Sequence, residues 1–510
     1  VALSLRNPKV SVSVVFVAAM FMNILDTTIV NTAIPAIGDQ FDASVSSTGA
    51  VASAYLVSLA VVIPASGWLG DRFGTRRIFL VALALFTLAS GLCGLASSLG
   101  QLIGFRVLQG VGGGMMTPVG MAMLFRVFPQ NERVRASRIL VLPTALAPAL
   151  GPVLGGLFVD HLSWHWAFIV NVPIGLAALT FGAVYLPRSE PGERGRFDAL
   201  GFVLAGVGLG SLMYAVSEGP VRGWGTVGIV APGVLGVVLL IALVAHELRT
   251  AAPLLHLRLL RDRIFSSSIL IMIPATAGFL GFLYAFPLLQ QEGLGRSAST
   301  SGLLTFPEAI GVMAGSQIVS RLYPVVGPRR LMAVGAAVVA ALAAFLSTID
   351  AGTPDAVIVV AMFFLGLAMS SVFIPQQSAA FANISARETG QASGLFNALR
   401  QTGAAVGVAT LATVIAVIGP LESSGAAGGA PVPNLTAYHA AFLVSAGLLV
   451  LAAVMALRIR DSDAASTMGR RDDAGAAAAT QPTTPQAPER TGPAGAPAPR
   501  GAGTDGPAAD

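Results

Sequence analysis

Fourteen apolar stretches, each long enough to cross a bilayer, follow one another between residues 11 and 459 with short polar loops between them. A span needs about 20 residues, and within lipid a helix satisfies its own backbone donors and acceptors where an open strand does not. The chain is therefore read as an all-α polytopic membrane protein. Composition supports this, because 54% of the 510 residues are hydrophobic and 11% charged, which no soluble domain of that length matches. One cysteine, Cys93, rules out a disulfide scaffold. The first stretch follows Arg6 and Lys9 but is interrupted by Asp26, Asn31 and Pro35, so it is read as a retained helix rather than a cleaved signal.

The arginines orient the chain. With the N-terminus inside, the inner loops hold Arg72, Arg76 and Arg77, then Arg126, Arg133, Arg135 and Arg138, and so on to Arg321, Arg329 and Arg330; the outer loops hold only Arg222 and Arg296. This asymmetry places both termini in the cytoplasm of a bacterial-type inner membrane. The net charge of +5 thus reports topology and not nucleic-acid binding. Trp164, Trp166 and Trp224 fall near outer boundaries and are read as interfacial anchors. The loop Pro420 to Pro433 is expected to be mobile, and the Ala-, Pro- and Gly-rich tail after Arg460 to be disordered.

Gly74-Thr75-Arg76-Arg77 recurs as Gly327-Pro328-Arg329-Arg330 at matching positions of two halves. The expected organisation is a six-helix bundle over 1–187, a two-helix insert over 188–263, a second six-helix bundle over 264–459 and a cytoplasmic tail over 460–510.

The fifth stretch, VLPTALAPALGPVLGGLF from Val141 to Phe158, is built to deform. Pro143, Pro148 and Pro152 each remove a backbone donor, while Gly151 and Gly155, with Gly156 beside them, make a bare strip against which another helix can slide. A gating helix is the reading; a static packing seam is the alternative.

GWLGDRFGTRR, Gly67 to Arg77, resembles the loop signature of the major facilitator superfamily. LDTTIVNTAIP (Leu25 to Pro35), RVLQGVGGG (Arg106 to Gly114), ALGPVLGG (Ala149 to Gly156), WHWAFIVNVPIG (Trp164 to Gly175) and ALRQTGAAVGVA (Ala398 to Ala409) are similar to its fourteen-helix drug:proton antiporter branch. The resemblance implies the major facilitator fold and a latch, formed by Asp71 with Arg72, Arg76 and Arg77 after Gly67 and around Gly74, that shuts the inner side. The second-half copy has Pro324 where Asp71 aligns, so the latch is expected in the first half only.

A carboxylate near the middle of a span costs about 2.5 to 3.5 kcal/mol and needs a partner or a task. Counting along antiparallel helices puts Asp26 and Arg106 at the same depth, some 12 to 15 Å below the outer surface. They can pair, and protonation of Asp26 would release Arg106. A static ion pair is the alternative, and the resemblance implies proton coupling at both positions. Glu308 lies near the midplane as a candidate cation-recognition or second proton site, with Arg400 as its possible neutraliser. Asn31, Gln109 and Phe306 complete the candidate substrate-binding set. Phe279, Phe282, Tyr284 and Phe286 could add aromatic surface, and His161 and His165 are read as interfacial.

No enzyme signature is found. The run Gly110 to Gly114 lacks the lysine of a phosphate loop, and no Cys/His cluster has metal spacing. No cofactor is expected; one proton falling through ~100 mV releases about 2.3 kcal/mol, enough to drive export. The expected activity is proton-coupled efflux of lipophilic, cationic drugs by a monomer whose partners are small molecules, protons and membrane lipids. An exporter of one endogenous metabolite and a membrane sensor or scaffold are the alternatives.

Overall fold

Capping side chains set where the helices begin. In this computed structural model, which describes residues 7–43, 45–129, 132–188, 197–250, 253–385, 388–419, 421–422 and 432–468, α1 (Pro8–Phe41) opens with Asn7 accepting from the Lys9 amide. Pro8 takes the first helical position, where its missing N–H leaves nothing unsatisfied. The helices α2 (Val45–Phe73), α3 (Thr75–Cys93), α4 (Leu99–Val127), α5 (Arg133–His161) and α6 (Trp166–Ile169), which runs on into α7 (Asn171–Tyr185), complete a first group. Next come α8 (Ala199–Arg222), whose first turn is capped by Asp198, and α9 (Val227–Arg249). The last large group comprises α10 (Arg263–Leu288), extended by a π-helical turn at Leu289–Gly293, then α11 (Ala298–Val326), α12 (Pro328–Leu346), α13 (Asp355–Ala380), α14 (Thr389–Ile418) and α15 (Leu435–Ala456).

Among the described residues, 13 helical segments are long and apolar enough to cross a membrane. The remaining long helix is α5, of 29 residues, several of whose side chains, including those of Pro143, Pro148 and Pro152, lie outside the described residues, as does that of Asn31. Its backbone is one uninterrupted helix. Pro64, Pro118, Pro307 and Pro375 likewise sit inside helices that continue through them.

The repeated loops share a conformation. Gly74 has φ 88° and Gly327 has φ 83°, values that a side chain rarely tolerates, and each immediately precedes the helix that carries the paired arginines. The face bearing these loops is called here the arginine-rich face.

Each group has its own apolar core, one around Phe16, Phe79, Phe86 and Met116, the other around Phe282, Phe286, Leu365 and Phe442. Helix α8 lies against both. Its Leu209 and Met213 cluster with Ala60 and Val57 of α2 and with Ala405 of α14. Nearer the opposite face, Ser53 of α2 donates to Glu218 at 2.6 Å and Trp224 donates to Thr413 of α14 at 2.8 Å.

Three local expectations need revision. Trp164 is no lipid anchor: it is 3% exposed, in edge contact with Phe41 and Phe168, and its indole N–H donates to Gln40 at 2.6 Å. In the loop after α14, β1 (Leu421–Glu422) pairs antiparallel with β2 (Val432–Pro433), while residue 420 and residues 423–431 lie outside the described residues. After Arg460 the chain stays ordered through a 3-10 turn at Asp461–Ala464 and α16 (Ala465–Met468) before residues 469–510, which lie outside the described residues. Tyr323 and Thr467 share a hydrogen bond of 2.7 Å, and Asp461 accepts from the Arg329 amide at 2.9 Å. The second half therefore does have a carboxylate at its repeated loop, supplied by Asp461 from beyond α15.

Candidate functional site

Asp26 of α1 and Arg106 of α4 meet with Nη1 2.5 Å from Oδ2, both side chains essentially sealed from solvent. Both carboxylate oxygens and two of the three guanidinium nitrogens are engaged. Asp26 Oδ1 accepts from Gln109 Nε2 at 2.7 Å and from Asn171 Nδ2 at 3.1 Å. Arg106 also donates to Gln109 Oε1 at 2.7 Å and, through Nε, to the Val51 carbonyl at 3.1 Å. The guanidinium lies 4.3 Å from the centre of the Tyr55 ring and 5.6 Å from that of Phe168. Tyr55 donates to Asn23, whose amide donates to the Gly113 carbonyl at 3.1 Å. Gly113 is required here, because a Cβ would stand 2.8 Å from the Tyr55 hydroxyl and 2.9 Å from the Asn23 amide. Such dense satisfaction is what a buried ion pair needs to offset desolvation.

Gln109 belongs to this network. Its amide also donates to Ser90 at 2.8 Å, so both amide hydrogens are engaged in this arrangement. Asn171, Tyr55, Asn23 and Ser90 were not singled out from sequence. Asn171 alone carried a signal, as a lone amide in an apolar run.

Glu308 of α11 is 3% exposed and has neither a hydrogen bond nor an ion pair among the described residues. Arg400 does not neutralise it; the guanidinium donates instead to Asn397 on its own helix at 3.3 Å. The backbone at Glu308 is pressed against α13, since a Cβ on Gly366 would fall 2.0 Å from the Glu308 carbonyl. Phe306 packs with the cluster of Val134, Val312 and Tyr323. The remaining aromatics do not form one surface: Phe282 and Phe286 pack with Phe442 in the core, Phe279 meets Phe373 edge-on at 5.6 Å, and Tyr284 is 39% exposed.

At the arginine-rich face α2 and α14 touch at backbone distance. A Cβ on Gly67 would lie 2.8 Å from the Gly390 carbonyl, and one on Gly390 would lie 2.8 Å from the Asp71 carboxylate. Asp71 thus rests on the first turn of α14, where the helix dipole favours an anion. Its ionic partner is Arg126 of α4 at 2.6 Å, not Arg72, Arg76 or Arg77. Arg72 lies over Trp68, Arg76 donates to the Ala183 carbonyl of α7, and Arg77 is exposed. Beside this contact Phe125 of α4 stacks on Phe381 at 4.6 Å, and Phe381 in turn meets Phe396 and Phe265. This aromatic seal joins the two groups of helices and was not foreseen.

The bare strip of α5 receives α1. Thr28 and Thr32 occupy the places that a Cβ on Gly151 or Gly155 would need, with Oγ1 at 2.0 and 1.8 Å from them. Gly156 has nothing within 4 Å and is not part of this seam. His165 stacks on Trp164 at 3.8 Å and its Nδ1 shares a hydrogen bond with Ser163.

The sequence model of the Major Facilitator Superfamily matches residues 16–408. The chain is 32% identical over 408 residues to a Multidrug resistance protein B homolog of Mycobacterium tuberculosis, covering 79% of this chain and 75% of that one. It is 36% identical over 312 residues to a Putative multidrug resistance protein MdtD of Escherichia fergusonii, covering 61% and 66%. Among solved structures, the human organic anion transporter MFSD10 superposes with a TM-score of 0.64 at 15% identity over 88% of this chain and 99% of that one. The proton:xylose symporter XylE superposes with 0.61 at 15% identity over 88% and 94%. Matched over most of its length and sharing this fold, the chain belongs to the major facilitator superfamily, and is a multi-pass membrane transporter rather than an enzyme.

Proposed function

We propose that this protein exports lipophilic, cationic drugs from the cytoplasm in exchange for protons, by alternating access between two six-helix bundles, helices α1 to α7 and α10 to α15, with α8 and α9 inserted between them. The relatives named as multidrug resistance proteins support the substrate class. The arginine-rich face is cytoplasmic, both termini lie on that side of the inner membrane, and a single chain is the working unit without a cofactor.

One observation carries the coupling: the sealed, hydrogen-bonded pair of Asp26 with Arg106. Protonating Asp26 removes the counter-charge from a buried guanidinium, and breaking such a pair costs about 3–5 kcal/mol. That cost is relieved when Arg106 finds a new environment, so a proton taken up becomes a change of packing between α1 and α4. On this reading the contact of Asp71 with α14 and with Arg126 belongs to a state closed on the arginine-rich side. The flexing of α5 against α1, at Gly151 and Gly155 and through Pro148 and Pro152, transmits the change. Glu308, buried without a counter-ion among the described residues, supplies the group that selects cations.

The test is proton release from energised inverted vesicles on adding lipophilic cations and neutral drugs. Wild type is expected to respond to several compounds, Asp26→Asn to none, and Glu308→Gln to neutral compounds only. A wild type that moves protons for no compound sinks the exporter reading; a response to one compound alone reduces it to a dedicated exporter.

A further inference from the structure

Where α5 meets α11 at the arginine-rich face, three arginines converge with no carboxylate partner among the described residues. Arg138 of α5 donates Nη1 to Gln317 Oε1 of α11 at 3.0 Å. The two helices run antiparallel here, and helical periodicity then fixes the neighbours of this contact. Arg135 stands three residues before Arg138 and Arg321 four residues after Gln317, so each lies one turn nearer the arginine-rich end on the same face as its neighbour. The charges of Arg135 and Arg321 both act on Arg138.

Nearby acids are committed elsewhere. Glu132 pairs with Lys9 at 2.7 Å, Asp461 accepts from the Arg329 amide, and Asp463 lies 3.7 Å from Arg263. A fourth cation, Arg133, adds to the imbalance: it is 5% exposed, gives one N–H to the Ile384 carbonyl at 3.1 Å, and has no partner for Nε and Nη1 among the described residues. Positive charge is thus gathered across the seam of α5 and α11, with no carboxylate paired to it among the described residues.

We propose that Arg135, Arg138 and Arg321 form a binding site for the phosphate of an anionic lipid headgroup, which bridges α5 and α11 and holds the bundles together on that side. Guanidinium forks match phosphate oxygens, and one phosphate serves arginines from both helices. Depth selects lipid over a soluble anion. Arg138 lies five residues inside the start of α5 and Arg321 five residues before the end of α11, about 8 Å from each helix end, at the level of headgroups. Arg135 and Arg321 are exposed, so the site opens to its surroundings. The proposal rests on the cytoplasmic placement of the arginine-rich face, because the cytoplasmic leaflet is the anionic one. It extends the transport cycle: opening toward the cytoplasm separates α5 from α11 there, so the lipid favours the closed state.

The test uses the full chain in nanodiscs, with spin labels on Val14→Cys of α1 and Val325→Cys of α11, both exposed, in a Cys93→Ser background. Replacing phosphatidylcholine with a mixture containing phosphatidylglycerol should raise the closed-to-open ratio at least about fivefold, the lower end of ordinary coupling between sites. Arg135→Gln/Arg138→Gln/Arg321→Gln should abolish the response, while Arg329→Gln/Arg330→Gln on the same face should keep it. No lipid response in wild type, an unchanged response in the triple variant, or a loss with Arg329→Gln/Arg330→Gln overturns the site. Closure on adding inorganic phosphate to phosphatidylcholine discs overturns the lipid assignment. Asp26→Asn should retain the lipid response, so failure of proton coupling is read separately, and protease access to the C-terminal tail in sided vesicles tests the orientation by itself.

Discussion

Asp26 of α1 and Glu308 of α11 are both buried carboxylates, and their surroundings differ in kind. Asp26 accepts from Arg106, Gln109 and Asn171, whereas Glu308 has no hydrogen bond or ion pair among the described residues. A satisfied charge is anchored, and changing its protonation disturbs three helices at once. An unsatisfied one is held only by the packing of α11 on α13 and has its full capacity free for an incoming cation or proton. Under the proposed function, the first would convert a proton into movement and the second would recognise what is carried.

The largest effect should follow from Asp26→Asn, which leaves Arg106 buried without a counter-charge. Stability is expected to fall by about 3–5 kcal/mol in thermal unfolding of the purified protein, and Arg106→Gln on that background should recover most of it. If the double variant is no better than the single, the two residues are not coupled and the contrast fails. Cys93 offers a native probe, because its thiol lies 3.8 Å from Gln109 Oε1. Its maleimide labelling should accelerate more than about tenfold in Asp26→Asn, each ~1.4 kcal/mol of loosening giving a factor of ten, and stay unchanged in Glu308→Gln.

A smaller loss, about 1–3 kcal/mol, is expected for Gly151→Ala or Gly155→Ala, where the new methyl meets Thr28 or Thr32. Glu308→Gln should change stability little, within about 1 kcal/mol, as one unpartnered buried polar group replaces another, while cation transport is lost. A drop in melting temperature for that variant would reveal a partner and erase the comparison. Gly156→Ala should be the mildest, within about 0.5 kcal/mol, because nothing stands in the way of its Cβ.

Much of this was legible in the chain. The spans announce themselves through length and hydropathy, and Asp26 could be matched to Arg106 because depth in a membrane is a one-dimensional coordinate that residue counting recovers. What depends on which helices are neighbours could not be counted. Gln109 turns toward Asp26, Trp164 turns inward, and Phe125 finds Phe381 across the bundles, all through lateral packing that no periodicity encodes. Asp461 illustrates the limit best: the second repeated loop lacks an acid locally, and its replacement arrives from 134 residues after Gly327 in sequence.

Helix α8 carries a consequence for compounds that partition into the bilayer. With Leu209 and Met213 lodged against both α2 and α14, and Glu218 and Trp224 fastened to those same helices farther out, that flank of the transporter is shuttered to anything diffusing sideways from the hydrocarbon. The flank of α5 and α11 has no such cover among the described residues. The two flanks therefore differ in kind: one seam is covered by a third helix, while on the other α5 and α11 face each other directly, with Gly302 beside Val153.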